Sequence, residues 1–434
     1  MLGRWALQHV QRGPRFISAA IRQGPRNPQY LRSNAVHGLA VKRSTITQHA
    51  RSNLYTPSCC LSTAAIPNVL VPPLIFVGLL LSLWIWKCFW IVVMQDKLLY
   101  LTWLPPFTRS EKIADYEVEC RPVRWEEKQI RSLDGTKLAV CEGRIVNPDD
   151  GSDSRQKSHD LSAPKSARKR SVVICYFQGN GGSMPMRLPL LSQVLRTLTE
   201  MSKSTLSTKA QYTETGYSIA ALSYRGYWTS SGRATQSGIE KDAQAFLTWV
   251  SKTYAAPETD LEIVLWGHSL GCAVASTAAA AYLSHRDSKQ IFADGSTGSL
   301  APLVGLILEA PTSSIKDMLI SLYPQKWLPY RYLWPLSWNT WDITKSLNQM
   351  ARWRDESGSE VTGPVSRVPH IFLLFGEKDE IIPSYVPGQL ERCARSLDLS
   401  IETKEVAGAM HTEAPLKRDG RKAMVQFILN NTSP

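Results

Sequence analysis

The chain has 434 residues, 43% of them hydrophobic, with 50 Lys and Arg against 37 Asp and Glu and a net charge of +13. That length holds one large domain or two or three ordinary ones, and the apolar share is that of a globular protein. The charge is uneven: residues 1–95 contain ten Lys or Arg and no acid, while the remainder carries 40 basic and 37 acidic residues. The basic balance therefore describes an N-terminal tail and not a nucleic-acid-binding surface.

Residues 1–64 form this tail. Arg4, Gln8, Gln11 and Arg12 share one helical face opposite Leu2, Trp5, Ala6 and Val10, and Gly13-Pro14 stops the helix. Arg-rich, acid-free and amphipathic is the composition of a mitochondrial targeting segment, with a basic juxtamembrane tail as the equal alternative. Residues 65–95 read as a transmembrane anchor. Val69 to Trp86 holds no charge, and beyond Lys87, which can snorkel, the apolar run resumes to Met94. Trp84, Trp86 and Trp90 suit an interfacial belt. Lys42, Arg43 and Arg51 on the N-terminal side favour a tail in cytoplasm or matrix and the large domain across a single-pass membrane. Mitochondrial inner membrane and endoplasmic reticulum or other endomembrane both remain open. The eight cysteines show neither metal spacing nor a secreted-module framework.

Residues 96–434 read as one α/β domain. Glu117 to Ala139 is strand-rich, with a turn at Ser132 to Thr136, and the polar, Ser-rich residues 147–170 predict a solvated, disordered loop. Strands follow at Val172–Phe177, Ser218–Ser223, Leu261–Leu265, Val304–Leu308 and His370–Phe375, with helices at Ile239–Val250 and Cys272–Leu283. Such alternation predicts a mostly parallel sheet with helices on both faces and functional loops at the carboxyl ends of its strands.

The most specific of those loops is Gly267-His268-Ser269-Leu270-Gly271, a G-x-S-x-G pentapeptide between an apolar strand and a small-residue helix. This is the setting of a nucleophile elbow, in which a strained turn lifts the Ser269 hydroxyl clear of the sheet. A serine nucleophile needs a base and an acid to orient it. His411, in the loop before the last helix, follows every candidate acid; Asp379 follows the strand at His370–Phe375, with Glu377, Glu380 and Asp355 as rivals. The chain order Ser269, Asp379, His411 suits this fold. The oxyanion donors are expected to be the amides of Leu270 and of Asn180, in the glycine-rich turn Gln178-Gly179-Asn180-Gly181-Gly182. A phosphate-binding reading of that turn fails because no G-K-[ST] follows, and neither a dinucleotide fingerprint nor a zinc cluster is present. No cofactor or metal is needed.

With these motifs in order, the chain resembles the membrane-anchored α/β hydrolases of the bud-emergence-protein type, related to lysophospholipase and monoacylglycerol lipase members. The resemblance covers roughly residues 90–430. It rests on Gln95-Asp96-Lys97-Leu98-Leu99-Tyr100, Gly179 to Gly182, Ser223-Tyr224-Arg225-Gly226-Tyr227 with Ser231-Gly232, Gly238-Ile239 with Asp242-Ala243, Gly267 to Gly271, Leu308 to Ser313, Gly376 to Pro383, and His411. It implies an α/β-hydrolase fold with an inserted cap, Ser269, Asp379 and His411 as triad, and Asn180 and Leu270 as oxyanion positions. Gln178 stands where the family usually has His, and Thr412-Glu413 where Asn-Asp is commoner.

The excursion at 312–368 is aromatic and suits a cap, with Gln178, Trp327, Tyr330 and Trp334 as candidate substrate contacts. Taken with the anchor, this predicts a substrate bearing an acyl chain in or near the bilayer, and the resemblance implies a serine esterase that acts on a lysophospholipid or monoacylglycerol. A depalmitoylase-like acyl-thioester hydrolase and a non-catalytic membrane scaffold that kept the fold are the alternatives. The expected partners are the acyl-lipid substrate and the lipid bilayer, with no nucleic acid and protein partners left open.

Overall fold

A computed structural model describes residues 67–145, 169–206, 215–256, 259–286, 290–291, 297–298, 300–357 and 368–432. The basic tail and most of the polar loop predicted at 147–170 lie outside these residues. The chain divides into two compact units, Met1–Ser82 and Leu83–Pro434. The described part of the first is a 3-10 turn leading into helix α1 (Val71–Val93), which continues into the second unit; its side chains are exposed from Val71 to Leu83. Over Asn68–Val93 this helix is apolar for 26 residues. At roughly 1.5 Å per residue that is about 39 Å, enough to cross a hydrocarbon layer of about 30 Å.

The second unit is built on an eight-stranded sheet: β1 (Val123–Arg131), β2 (Lys137–Ile145), β3 (Lys169–Phe177), β4 (Thr215–Ser223), β5 (Thr259–His268), β6 (Leu303–Glu309), β7 (His370–Gly376) and β8 (Ile401–Val406). Their spatial order is β1-β2-β4-β3-β5-β6-β7-β8, antiparallel across β1-β2-β4 and parallel from β4 onward. The unbroken apolar runs in β3 and β5 follow from burial on both faces. One face is packed by α3 (Leu188–Leu206) and α9 (Arg418–Asn431), whose Leu191, Leu195, Val425 and Phe427 meet Ile174, Tyr176, Trp266 and Ile307. The other is packed by α4 (Gln236–Thr253), α5 (Leu270–Arg286), α7 (Ile343–Ser357) and α8 (Tyr385–Ser396) over Val173, Cys175, Leu265 and Leu306. This is the α/β-hydrolase architecture.

Four details differ from the sequence expectations. Glu117–Cys120 is one helical turn, so the first strand starts only at Val123. Lys169 and Arg170 belong to β3 and not to the polar loop; Arg170 is buried, donates to the Thr432 carbonyl and faces Glu262 at 3.8 Å. The edge strand β8 alternates too many polar residues to be visible as an apolar run. The excursion after β6 begins with helix α6 (Ile315–Leu322), and its Ile315 and Trp341 join the core. Helix α7 is a core helix, with Ile343, Leu347 and Met350 buried.

Arg225, in the loop after β4, ties three elements together. Its guanidinium donates to Asp242 of α4 at 2.7 Å, to Asp134 in the β1–β2 turn at 2.8 Å and to Ser132 at 3.0 Å. Asp242 is fully buried, so removing its partner strands a charge. Arg225→Ala should destabilise the domain by about 3–5 kcal/mol, read as a lower urea midpoint, with β4 and α4 losing protection first.

Candidate active site

The site begins where β5 turns into α5. Gly267 and Gly271 are required by contact: a β-carbon on Gly267 would lie 2.4 Å from the Gly271 carbonyl oxygen, and one on Gly271 would lie 2.1 Å from that of Phe177. Between them Ser269 has φ 53°, a left-handed conformation uncommon for a residue with a side chain. Its amide donates to the Glu309 carbonyl at 2.8 Å, which fixes the turn to β6. Leu270 is the first residue of α5, so its N–H has no acceptor within the helix and lies at the positive end of the helix dipole.

The glycine-rich turn after β3 lies against this elbow. A β-carbon on Gly179 would sit 2.9 Å from His268 Nδ1 and 3.3 Å from Ser269 Cβ. Asn180 follows at the half-buried rim. The Gln178 carbonyl accepts from the Tyr224 hydroxyl at 2.9 Å. The Gln178 side chain is buried, and neither of its amide atoms has a hydrogen-bond partner among the described residues. Gln178 is thus placed beside the turn with an unspent donor and acceptor.

Two loops from the far end of the sheet supply the acid and the histidine. Asp379, after β7, receives the amides of Ile381 and Ile382 on Oδ1 at 2.9 and 2.8 Å. His411 Nδ1 lies 2.9 Å from Asp379 Oδ2 and 3.1 Å from Oδ1, and both side chains are buried. The rival carboxylates are engaged elsewhere: Glu377 accepts from the Gly408 amide at 2.7 Å, Glu380 from the His411 amide at 3.1 Å, and Asp355 pairs with Arg354 at 2.8 Å. The two loops are held together by backbone, since Lys378 N donates to the Ala409 carbonyl at 2.9 Å. They reach the elbow at His268, whose ring centroid is 5.3 Å from that of His411.

The candidate aromatic contacts meet residues of α1 and α6. Trp327 lies against Trp84 of α1 at 5.9 Å, Lys87 Nζ is 4.3 Å from the Tyr330 ring centre, and Lys316 Nζ is 4.9 Å from that of Trp334. Among the described residues no hydrogen bond or ring contact joins these three to Ser269, Asp379 or His411.

Sequence reasoning quoted Glu309 only as part of a motif. In the structure its backbone supports the elbow, and its buried carboxyl accepts from Trp266 Nε1 at 2.8 Å and lies 3.8 Å from His268 Nε2. The signal was an acid ending an apolar strand. Burial pushes its carboxyl from 4.5 up to about 8, against the weaker opposing effects of Arg187 and the Trp266 bond. Between those values the folded state keeps a proton that the unfolded chain releases, so this contribution to stability falls as pH rises through the window. In Glu309→Gln that part of the fall should vanish. Urea unfolding should show the variant gaining on wild type from about pH 5 to about pH 8.

The fold and these loops define a class. The chain belongs to the alpha/beta hydrolase family, whose profile matches residues 201–423. Within that class it is similar to the alpha/beta hydrolase domain-containing protein WAV2 of Arabidopsis thaliana, 26% identical over 330 residues, which covers 74% of this chain and 83% of that protein. It is similar to protein bem46 of Schizosaccharomyces pombe at 26% identity, over 49% of this chain and 52% of that one. It is also similar to the lysophosphatidylserine lipase ABHD12 of Danio rerio at 28% identity, over 56% and 51%. The chain thus spans most of the first relative and about half of the other two.

Proposed function

We propose that the chain is a membrane-anchored serine hydrolase that cleaves a carboxylic ester of an acyl lipid through an acyl-enzyme. The observation that carries this reading is the bond between His411 Nδ1 and Asp379, on a loop that meets the elbow beside Ser269. Asp379 orients the ring and favours the tautomer with Nδ1 protonated, leaving Nε2 to take the Ser269 proton. Ser269 Oγ attacks the ester carbonyl, and the amides of Leu270 and Asn180 hold the oxyanion. Protonated His411 gives its proton to the departing alcohol, and water activated by the same ring clears the acyl group. No metal enters these steps.

A lysophospholipid is the favoured substrate, with monoacylglycerol next. The similarity to a lysophosphatidylserine lipase supports the class, and the apolar helix Asn68–Val93 supports a substrate held in the bilayer. The helix is read as the single transmembrane span, with the hydrolase domain on the side to which Val93 leads.

The reading is tested with a fluorophosphonate probe on the detergent-solubilised full chain. Wild type should label, while Ser269→Ala and His411→Ala should not. Asp379→Asn should keep the fold and lose roughly 10⁴-fold in kcat. Folded wild-type protein that never labels would move the scaffold alternative ahead. Labelled protein is then offered lysophosphatidylserine, monoacylglycerol and an acyl thioester, and a preference for the thioester would redirect the substrate class.

A further inference from the structure

The segment Gln95-Asp96-Lys97-Leu98-Leu99-Tyr100 takes no part in the chemistry above, yet it is densely bonded on two sides. It forms the short helix α2 directly after α1. On one side it holds the segment that precedes α7. Gln95 Oε1 accepts from Ser337 Oγ and the Trp338 amide, both at 3.0 Å, and Asp96 Oδ1 accepts from Trp338 Nε1 and Asn339 Nδ2, both at 2.9 Å. The Tyr100 hydroxyl donates to Asn339 Oδ1 at 2.7 Å and accepts from Trp341 Nε1 at 3.0 Å. On the other side it holds the glycine-rich turn. The Tyr100 carbonyl accepts from the Gly181 amide at 3.0 Å and from the Tyr227 hydroxyl, and the Leu104 carbonyl accepts from the Gly182 amide at 2.7 Å.

Tyr100, Asn339, Trp341 and Tyr227 are all buried, so these bonds are shielded from competing water. Gly181 and Gly182 have φ 68° and 74°, a conformation with little intrinsic preference to hold it in place. The turn therefore takes its position from its partners, and two of those partners are carbonyls of the chain leaving the helix. A turn that presents an oxyanion donor loses effect when the donor drifts by a fraction of an ångström.

We propose that Gln95–Tyr100 is a positioning element that ties the oxyanion turn and the 337–341 segment to the foot of the anchor helix, with Tyr100 as its pivot. The ring hydroxyl fixes the side chain, and through it the backbone carbonyl that receives Gly181. This inference rests on the hydrolase reading for its catalytic consequence but not for its structural one.

The test uses the full chain and two readouts: amide hydrogen exchange over residues 178–187, and hydrolysis of a water-soluble short-chain p-nitrophenyl ester. Tyr100→Phe should speed exchange of the turn amides about tenfold and lower kcat about tenfold, with KM within about twofold of wild type. Trp341→Phe, which removes a bond to the same hydroxyl, should move both readouts in the same direction and carries the test if Tyr100→Phe does not fold. Tyr254→Phe, which breaks a bond to Glu142 on β2 at 2.8 Å, is the remote control and should change neither. A purely structural Tyr100 would lower the unfolding midpoint and leave kcat and turn exchange at wild-type values, and that result overturns the proposal. Wild-type protein without turnover would remove the hydrolase reading, and exchange in the turn would then decide the tie alone.

Discussion

The start of α5 lies so close to the end of β3 that a β-carbon on Gly271 would meet the Phe177 carbonyl oxygen at 2.1 Å. Much of the site depends on that approach. It lets the helix begin directly beneath the turn at Ser269, and it brings the glycine-rich turn after β3 against the same residue. The serine amide is then anchored to the Glu309 carbonyl, so three parallel strands converge on one residue. A methyl group at either glycine would force the helix away from the sheet and separate the serine from the turn beside it.

The remaining loops are arranged around that fixed point with different degrees of support. The acid and histidine loops brace one another through backbone bonds, and Gly376 permits the crossing because a β-carbon there would lie 2.2 Å from the Ala409 carbonyl. Asp379 is held by two amides before it touches His411, so its orientation does not depend on the histidine. The glycine-rich turn has less of its own. It borrows its position from Tyr100 and Leu104, which makes the chain leaving α1 part of the frame of the site.

Most of this frame was legible in the sequence because it is local. Helix α1 is a long apolar run, the turn at Ser269 is a pentapeptide in a strand-to-helix setting, and β3 and β5 each carry an unbroken apolar stretch. The order of Ser269, Asp379 and His411 followed from connectivity, and the structure brings Asp379 and His411 within hydrogen-bond distance. What escaped lacks a local signature. β8 is an edge strand whose Glu402, Thr403, Lys404 and Glu405 disguise it, and the Arg170 pairing depends on partners far along the chain. Glu309 and His268 meet across neighbouring strands, and Tyr100 meets Asn339 and Trp341 across most of the domain. Aromatic composition pointed to Trp327, Tyr330 and Trp334 as substrate contacts; composition could not reveal that two of them pack on α1.

The strand order has a consequence for how the molecule is made. The sheet grows outward from β3 and β5 toward β8, and His411 is carried by the loop that follows that last strand. During synthesis the helix α1 and the serine turn leave the ribosome long before the histidine does. Until β8 pairs with β7 and α9 covers the sheet, a nascent chain carries the serine without its proposed base. On the proposed mechanism, the serine would gain its base only once the loop after β8 is in place.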